Sequence, residues 1–267
     1  MVGVLAGSRP GSVRQGLRPV LIFIARILVV VVPIVLWQIL TDNRVMNAFI
    51  FSQPTRVWQR LLAWLADGTI ASAATFTLTN TLLGYVLGVL LGNALAILFT
   101  LYPKLGRIYL PFMTAINAVP RIAFAPLLVV AFGYGLGGAV GLIVLVITYF
   151  SFFTSYGGLQ TIDPLHLDWA RMQGASGVKL WIHVRLPAIL RWVVSSLRLS
   201  VGHAFSAAVV AEFLGVPKGL GALISKSINL FQADGLFAAL AVVALMVFLI
   251  DMLIRAFERR FTAWAGT

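Results

Sequence analysis

The chain of 267 residues contains no cysteine, only three histidines and only eight acidic residues. The absence of cysteine excludes disulfides, cysteine-ligated zinc and thiol catalysis, and it leaves the redox compartment undetermined. None of the histidines lies within helical reach of another, so the sequence predicts no metal site. No constellation of paired acids or activated nucleophile stands out either, which argues against catalysis, although a membrane-embedded enzyme stays an alternative.

The sequence also lacks the Gly-x-x-x-x-Gly-Lys-Ser/Thr loop with which many proteins hold the phosphates of ATP. We therefore expect the chain to bind neither ATP nor another cofactor itself. Energy for any active process would come from a partner subunit or from an ion gradient. A carrier driven by an ion gradient would usually need acids inside the membrane, and only Glu212 and Asp251 come near a predicted span.

Hydrophobic residues make up 60% of the chain and charged residues only 10%, which is far from the balance of soluble domains. A surface this apolar is stable where lipid is the solvent. The net charge of +12 falls mainly between the apolar stretches. We interpret it as a topology signal and a contact to anionic lipid headgroups, not as a nucleic-acid face.

The long apolar stretches predict an all-α membrane protein with about six transmembrane helices. The predicted organisation is a disordered cytoplasmic tail over 1–18, one membrane domain over 19–262 and a tail over 263–267. Pro54 is typical of the start of a short interfacial helix between the first two spans. The predicted spans are 21–40, 75–102, 108–132, 139–156, 188–214 and 236–253.

Lysine and arginine are distributed unevenly between the two sides of these spans. More than twice as many lie on the side of the N-terminus as on the opposite side. Because cytoplasmic loops are enriched in these residues, we expect both termini and the polar segment 161–190 to be cytoplasmic.

The third predicted span is interrupted by Pro111, Pro120 and Pro126, which free backbone carbonyls that lipid cannot satisfy. Arg121 lies near the middle of this span. A central arginine costs at least ~2.5 kcal/mol on membrane-insertion scales, so Arg121 is a candidate functional residue. The alternative is that it snorkels to the headgroups or pairs structurally with Glu212.

Small residues recur in the second predicted span, where Gly84, Gly88 and Gly92 are spaced by four. This spacing places them on one helix face, where a neighbouring backbone can approach closely. We interpret this glycine ridge (Gly84, Gly88 and Gly92) as a helix-packing surface and not as the lining of a path.

The fifth predicted span carries a polar stripe, Ser196, Ser200, His203 and Ser206, at steps of four, three and three. Such a stripe needs the interior of a helix bundle. It either joins helices by hydrogen bonds or lines a conduit. The candidates for a polar pathway are Arg121, Asn117, Ser196, Ser200, His203, Ser206 and Glu212.

The polar segment 161–190 separates two membrane-length stretches and must lie outside the bilayer. Asp163 and Pro164 are typical of a helix start, and Gly174 is typical of a helix end. A second short helix is predicted over 178–184. Two short helices that meet at glycines form a compact elbow (residues 161–190), which either contacts a partner or is a basic loop that only fixes topology.

The elbow contains a spaced motif, Asp168-Trp169-Ala170, three residues, Gly174, nine residues, Val184, one residue, Leu186-Pro187. This motif resembles the EAA loop of ABC-importer permeases. The spacing matches throughout, whereas Asp168, Trp169 and Val184 stand where the family has Glu, Ala and Ile. Further segments that resemble the sulfonate, taurine and nitrate branch of this family are 118–121, 125–127, 209–215 and 219–221.

The resemblance implies the permease subunit of an ATP-driven importer, which forms the path for a small solute by alternating access and is not an enzyme. The solute would be a sulfonate, taurine, nitrate or a vitamin-related heterocycle, and Arg121 would suit an anion. A carrier driven by an ion gradient stays the alternative. The residues implied to couple the chain to an ATPase are Asp168, Trp169, Ala170, Gly174, Val184, Leu186 and Pro187.

The resemblance also implies an assembly in a bacterial-type inner membrane. The expected partners are a second permease subunit, most simply another copy of this chain, and two cytoplasmic ATPase subunits that bind ATP and magnesium. An external solute-binding protein would deliver the solute. No nucleic acid is expected.

Overall fold

The computed structural model describes residues 12–161 and 164–261, and every regular element in these ranges is helical. A 3₁₀ turn, Arg121–Phe124, and a π-helical turn, Trp181–Arg185, lie between the longer helices. The prediction of an all-α membrane protein is confirmed. The helices are α1 (Ser12–Asp42), α2 (Ala48–Phe51), α3 (Pro54–Ala66), α4 (Thr69–Leu101), α5 (Pro103–Ala118), α6 (Ala125–Phe132), α7 (Leu136–Gln160), α8 (Pro164–Met172), α9 (Val178–Leu180), α10 (Leu186–Gly215), α11 (Leu220–Asn229) and α12 (Ala233–Phe261).

Five helices of the described chain are long and apolar enough to cross a membrane, namely α1, α4, α7, α10 and α12. They extend beyond the apolar stretches that predict them, because a helix continues into the headgroup region after its hydrophobic part has ended. Helix α1 thus begins at Ser12, inside the segment 1–18 that the sequence predicts as a tail, and α12 continues to Phe261.

The chain bends by 88° between α5 and α6, so the pair is either a broken span or a re-entrant loop. The break lies at Val119 and Pro120, where Val119 is extended as residues before proline usually are. Pro111 lies within α5, and Pro126 occupies the first turn of α6, where the missing N–H has no intrahelical partner to lose. Of the three prolines in this span, Pro120 therefore causes the interruption.

Helices α4, α7 and α10 form the centre of the bundle. The fully buried Leu142 and Ile143 of α7 pack in one apolar cluster with Ala204 and Ala208 of α10. A second cluster around Phe205 connects α10 to α11 and α12. The apolar core thus lies between these helices, while most of the described side chains of α1, over 24–42, face outward.

The glycine ridge of α4 lies against α7. A Cβ on Gly84 would lie 2.6 Å from the Cβ of Ile143, and one on Gly92 would lie 2.8 Å from the Cβ of Ser151. Side-chain carbons do not approach each other this closely, so the two helix backbones can only pack at this distance where glycine is present. The ridge therefore forms a tight seam between α4 and α7.

The interfacial helix α3 begins at Pro54 and is fixed to the end of the bundle opposite to the elbow. Its Val57 is buried, and Arg60 Nη2 lies 2.8 Å from Asp234 Oδ2 of α12. On the other side of α3 the Trp58 side chain is exposed, as expected for a residue at the level of the headgroups.

Candidate functional site

The elbow has a defined turn after its first helix. Helix α8 ends in a Schellman motif, in which the Ala175 N–H donates to the Ala170 carbonyl at 3.0 Å and the Gly174 N–H to the Arg171 carbonyl at 2.9 Å. Gly174 has φ +82° and Gly177 has φ +51°, both in the left-handed region that favours glycine. The chain therefore reverses here with satisfied carbonyls and without a flexible linker.

One face of α8 is apolar and exposed. Leu165, Trp169 and Met172 are 62%, 59% and 76% exposed, and their spacing places them in one row. We term these three residues the α8 row. Beside it, Asp168 pairs with Arg171 at 2.9 Å, and both side chains are exposed. Because an exposed pair adds little stability, Asp168 is available to another partner.

The second half of the elbow leads directly into α10. The predicted helix over 178–184 is α9 followed by the π-helical turn, and α10 starts at Leu186 with Pro187 in its first turn. Leu180 is buried and Val184 is half-buried, so this part of the elbow is anchored in the bundle. Turns of this type occur frequently at functional sites.

The elbow thus contains all seven residues predicted to couple to an ATPase, but it places them at different points. Asp168 and Trp169 lie on the surface of α8, where Ala170 is half-buried. Gly174 forms the turn, and the remaining three lie at the junction with α10. Asp163, the predicted N-cap, lies outside the described residues.

Arg121 lies in the 3₁₀ turn after the break at Pro120 and is half-buried. Together with His203 and Ser206 of α10 it lines a cavity of about 370 Å³. The His203 ring packs on Phe150 with a centroid distance of 4.8 Å. Three of the predicted pathway residues therefore meet in one cavity, where a guanidinium, an imidazole and a hydroxyl face otherwise apolar walls.

The other candidates of the polar stripe lie elsewhere. Ser196 and Ser200 are fully buried and donate to carbonyls of their own helix, to Val193 at 2.9 Å and to Ser196 at 2.6 Å. These bonds satisfy the hydroxyls within α10, and neither serine lines the Arg121 cavity. The side chain of Asn117 lies outside the described residues. The stripe therefore divides into a buried half and a cavity-lining half.

Glu212 of α10 is 1% exposed and is held by α4 and α11. Thr77 Oγ1 donates to Glu212 Oε2 at 2.8 Å, and the Gly221 N–H donates to the same oxygen at 3.1 Å. The Leu220 N–H donates to the Thr77 hydroxyl at 2.9 Å. A Cβ on Gly219 would overlap the carboxyl group of Glu212. We term these five residues the Glu212 clamp.

The Glu212 clamp is separate from the Arg121 cavity. Among the described side chains, the hydrogen bonds of Glu212 connect it to α4 and α11, so the pairing with Arg121 considered from the sequence is not formed. Glu212 instead borders a cavity of about 890 Å³ at the end of the bundle opposite to the elbow, which Asp67 and Lys218 also line. The described residues include no group of three or more acids and histidines that could hold a metal ion.

Sequence reasoning missed Thr77 as a partner of Glu212. Its position seven residues before Gly84 places it on the face of the glycine ridge, and this periodicity was the available signal. Asn80 lies on the same face and is also fully buried. The polar residues of α4 thus continue the packing surface towards the far end of the bundle.

Comparison with known proteins identifies the family of this chain. The family described as "Binding-protein-dependent transport system inner membrane component" matches residues 84–263. A probable ABC transporter permease protein from Haemophilus influenzae is 33% identical over 86% of this chain and 95% of its own length. The taurine transport system permease protein TauC from Escherichia coli is 27% identical over 86% of this chain and 86% of its own length.

The fold is similar to that of an amino acid ABC transporter of known crystal structure. The TM-score is 0.62 at 16% identity, over 75% of this chain and 98% of the other. The family resemblance predicted from the sequence is confirmed by the matches to residues 84–263 and to the permease relatives. The chain belongs to the family of inner membrane components of binding-protein-dependent transport systems.

Proposed function

We propose that this permease forms, with a second copy of itself, the membrane path of an ATP-driven importer for a small solute. The chain acts in transport and not as an enzyme, as its family membership supports. Two cytoplasmic subunits hydrolyse ATP with magnesium, and an external binding protein delivers the solute. This division of labour is consistent with the missing phosphate loop in this sequence.

The exposed α8 row is the observation that carries this proposal. Three large apolar side chains on one face of a short helix outside the bilayer are favourable only when another surface covers them. Full burial of a side chain of this size contributes about 1.5–3 kcal/mol, so three of them can anchor a partner. A groove in the ATPase subunit is the partner that we assign to this row.

The elbow is built to transmit a displacement. It follows α7 at one end and continues into α10 at the other, and both helices belong to the centre of the bundle. The Schellman turn and the buried Leu180 keep its two halves in a fixed relation. When the ATPase subunits close, the push on α8 therefore reaches α7 and α10 and changes the side to which the path is open.

The orientation follows from the distribution of lysine and arginine. The elbow and both termini lie in the cytoplasm, and the membrane is the inner membrane of a bacterium. The external binding protein then docks at the opposite end of the bundle, where the larger cavity opens beside Lys218.

The solute passes the cavity lined by Arg121, His203 and Ser206. An arginine in a partly buried site favours an anion, since the attraction is weakly screened there. The relative TauC is named for the transport of taurine, a small molecule that carries a sulfonate group. Taurine, another sulfonate or nitrate is thus the solute that we favour, and a vitamin-related heterocycle is the second candidate.

Replacement of Trp169 by alanine tests the coupling role directly. Trp169 is 59% exposed and Trp58 on α3 is 62% exposed, so the two single variants lose similar surface at opposite ends of the protein. We expect Trp169→Ala to lower co-purification with the ATPase subunit and solute-dependent ATP hydrolysis about tenfold, while Trp58→Ala leaves both unchanged. Unchanged association of the Trp169→Ala variant would contradict the assignment of α8 as the coupling helix.

A further inference from the structure

A cavity of about 480 Å³ lies at the elbow end of the bundle, apart from the Arg121 cavity and from the α8 row. Its walls come from the ends of α4 and α7, the start of α5 and the last residue of the π-helical turn. Arg107 of α5 and Arg185 of the elbow line it, together with Tyr156 and Gln160 of α7. None of these four side chains has a role in the proposed transport mechanism.

The lining of this cavity is rich in hydrogen-bond donors and positive charge. Each guanidinium carries five N–H donors and no acceptor, so Arg185 can bind a ligand in addition to its contacts within the protein. No Asp or Glu belongs to the part of the lining that the structure describes. Two arginines on one cavity without an acid produce a positive potential that attracts an anion.

The Tyr156 hydroxyl is held in a fixed position in this cavity. Its ring stacks on Phe152 with a centroid distance of 5.4 Å. A Cβ on Gly106 would lie 3.2 Å from the hydroxyl oxygen, so the hydroxyl is directed towards the first turns of α5. A preformed donor in a cavity that two arginines also line suits the tetrahedral oxygens of a phosphate, which arginine binds in a bidentate manner.

The position of the cavity indicates where such a phosphate comes from. The membrane-length helices α4 and α7 both end here, which places the cavity at the level of the lipid headgroups. The neighbouring segment of the elbow exposes Val178 and Ile182, 72% and 51%, with the exposed Lys179 between them. Apolar side chains interspersed with basic ones are typical of a segment that lies on an anionic membrane surface.

We infer that this cavity binds the phosphate of an anionic phospholipid headgroup. Arg107 and Arg185 neutralise the phosphate, and Tyr156 and Gln160 donate hydrogen bonds to it. Because Arg107 belongs to α5 and Arg185 to the elbow, the lipid connects the helix bundle to the elbow. Anionic lipid therefore stabilises the elbow in the position that it has in this structure.

Lipid binding by the purified full-length chain tests this inference. The variants are Arg107→Gln, Arg185→Gln and the double variant, and the controls are Lys104→Gln and Lys226→Gln. Each control removes the same charge from an exposed side chain outside the lining, Lys104 near the cavity and Lys226 at the opposite end of the bundle. We expect native mass spectrometry to show that wild type and controls retain phosphatidylglycerol in preference to phosphatidylcholine. In the double variant this preference should be about tenfold lower.

Three results would overturn the proposal. If the lysine controls lose as much preference as the arginine variants, lipid binding depends on general surface charge. If wild type shows no preference for phosphatidylglycerol, the site does not exist. Inorganic phosphate is the third case: it does not displace bound lipid, but it binds in the absence of lipid and needs both arginines. Free phosphate and not a headgroup is then the ligand.

Folding of the variants is checked independently of lipid preference. In phosphatidylcholine nanodiscs we expect wild type and variants to unfold at the same temperature, and phosphatidylglycerol to raise this temperature for wild type and the lysine controls only. If the double variant does not fold, the lipid preference of the single variant Arg107→Gln is measured instead. Arg107 is exposed, so its loss leaves no buried gap.

Discussion

Thr77 of α4 donates a hydrogen bond of 2.8 Å to Glu212 of α10, and both side chains are shielded from solvent. The same carboxylate oxygen accepts the Gly221 N–H of α11, so one acid joins three helices. A carboxyl group that is 1% exposed has little access to water that could replace a lost partner. Substitutions in the Glu212 clamp are therefore expected to have large effects on stability.

Removal of the acid should destabilise the fold strongly. Glu212→Ala leaves the Gly221 N–H without its acceptor, which costs about 1–3 kcal/mol for a buried group, whereas the Thr77 hydroxyl can still donate to the Ala73 carbonyl at 3.1 Å. Glu212→Gln keeps an acceptor oxygen of the same shape and should cost less. Thermal unfolding in nanodiscs measures both, with the exposed Asp168→Ala as control. Equal unfolding temperatures for Glu212→Ala and wild type would show that the clamp adds no stability.

Alanine at two glycines should change stability in opposite directions. A Cβ on Gly221 would overlap the Val209 carbonyl and lie 2.8 Å from the Cβ of Glu212. At Gly202, in the same helix as Glu212, nothing lies within 4 Å of the added carbon. Gly221→Ala should thus prevent α11 from docking, whereas Gly202→Ala should gain about 0.5–1 kcal/mol from reduced backbone entropy. Unfolding temperatures check the two signs, and a tolerated Gly221→Ala contradicts the close approach.

The glycine ridge should be equally sensitive at its end near the elbow. A Cβ on Gly92 would meet the α7 backbone, with the nitrogen of Phe152 at 3.0 Å. Because backbone atoms cannot move aside, Gly92→Ala should separate α4 from α7 and cost about 1–3 kcal/mol, as overpacking does elsewhere. Gly157→Ala on α7 is the matched control, since nothing lies within 4 Å of its added carbon. The yield of monodisperse protein and its unfolding temperature provide the comparison.

Asparagine in the turn of the elbow separates docking from folding. Gly174 and Gly177 both have positive φ and open space around them within this chain. Asparagine tolerates this backbone conformation better than other side chains, so both variants should fold. We expect Gly174→Asn to impair ATP-driven transport, because the proposed ATPase subunit would pack at this turn, and Gly177→Asn to retain it. If both variants transport normally, the turn at Gly174 is not part of the interface.

Local patterns in the sequence predicted the parts of the fold that depend on local physics. The spans follow from apolar length, and the turn at Gly174 follows from the conformational freedom of glycine. The interruption of the third span was also predicted, but the sequence could not decide which proline causes it. Pro126 falls in a first helical turn and Pro111 is tolerated inside α5, which depends on where each helix begins.

Long-range contacts limited the prediction of the site. Thr77 and Glu212 are 135 residues apart. The periodicity of α4 places Thr77 on the packing face but does not identify Glu212 as its partner. The polar stripe of α10 was predicted as one surface, but its buried serines bond to their own helix while His203 and Ser206 line a cavity. Which edge of a stripe faces a cavity depends on neighbouring helices, and this information lies outside the stripe itself.

The seam at the glycine ridge also determines where the protein can bend. At Gly92 the backbone of α4 meets the backbone of α7, so tilting one axis there would force backbone against backbone, and we expect the two helices to move as one unit. We expect a change of shape to pivot at the proline break before Arg121, where no continuous helix connects α5 to α6.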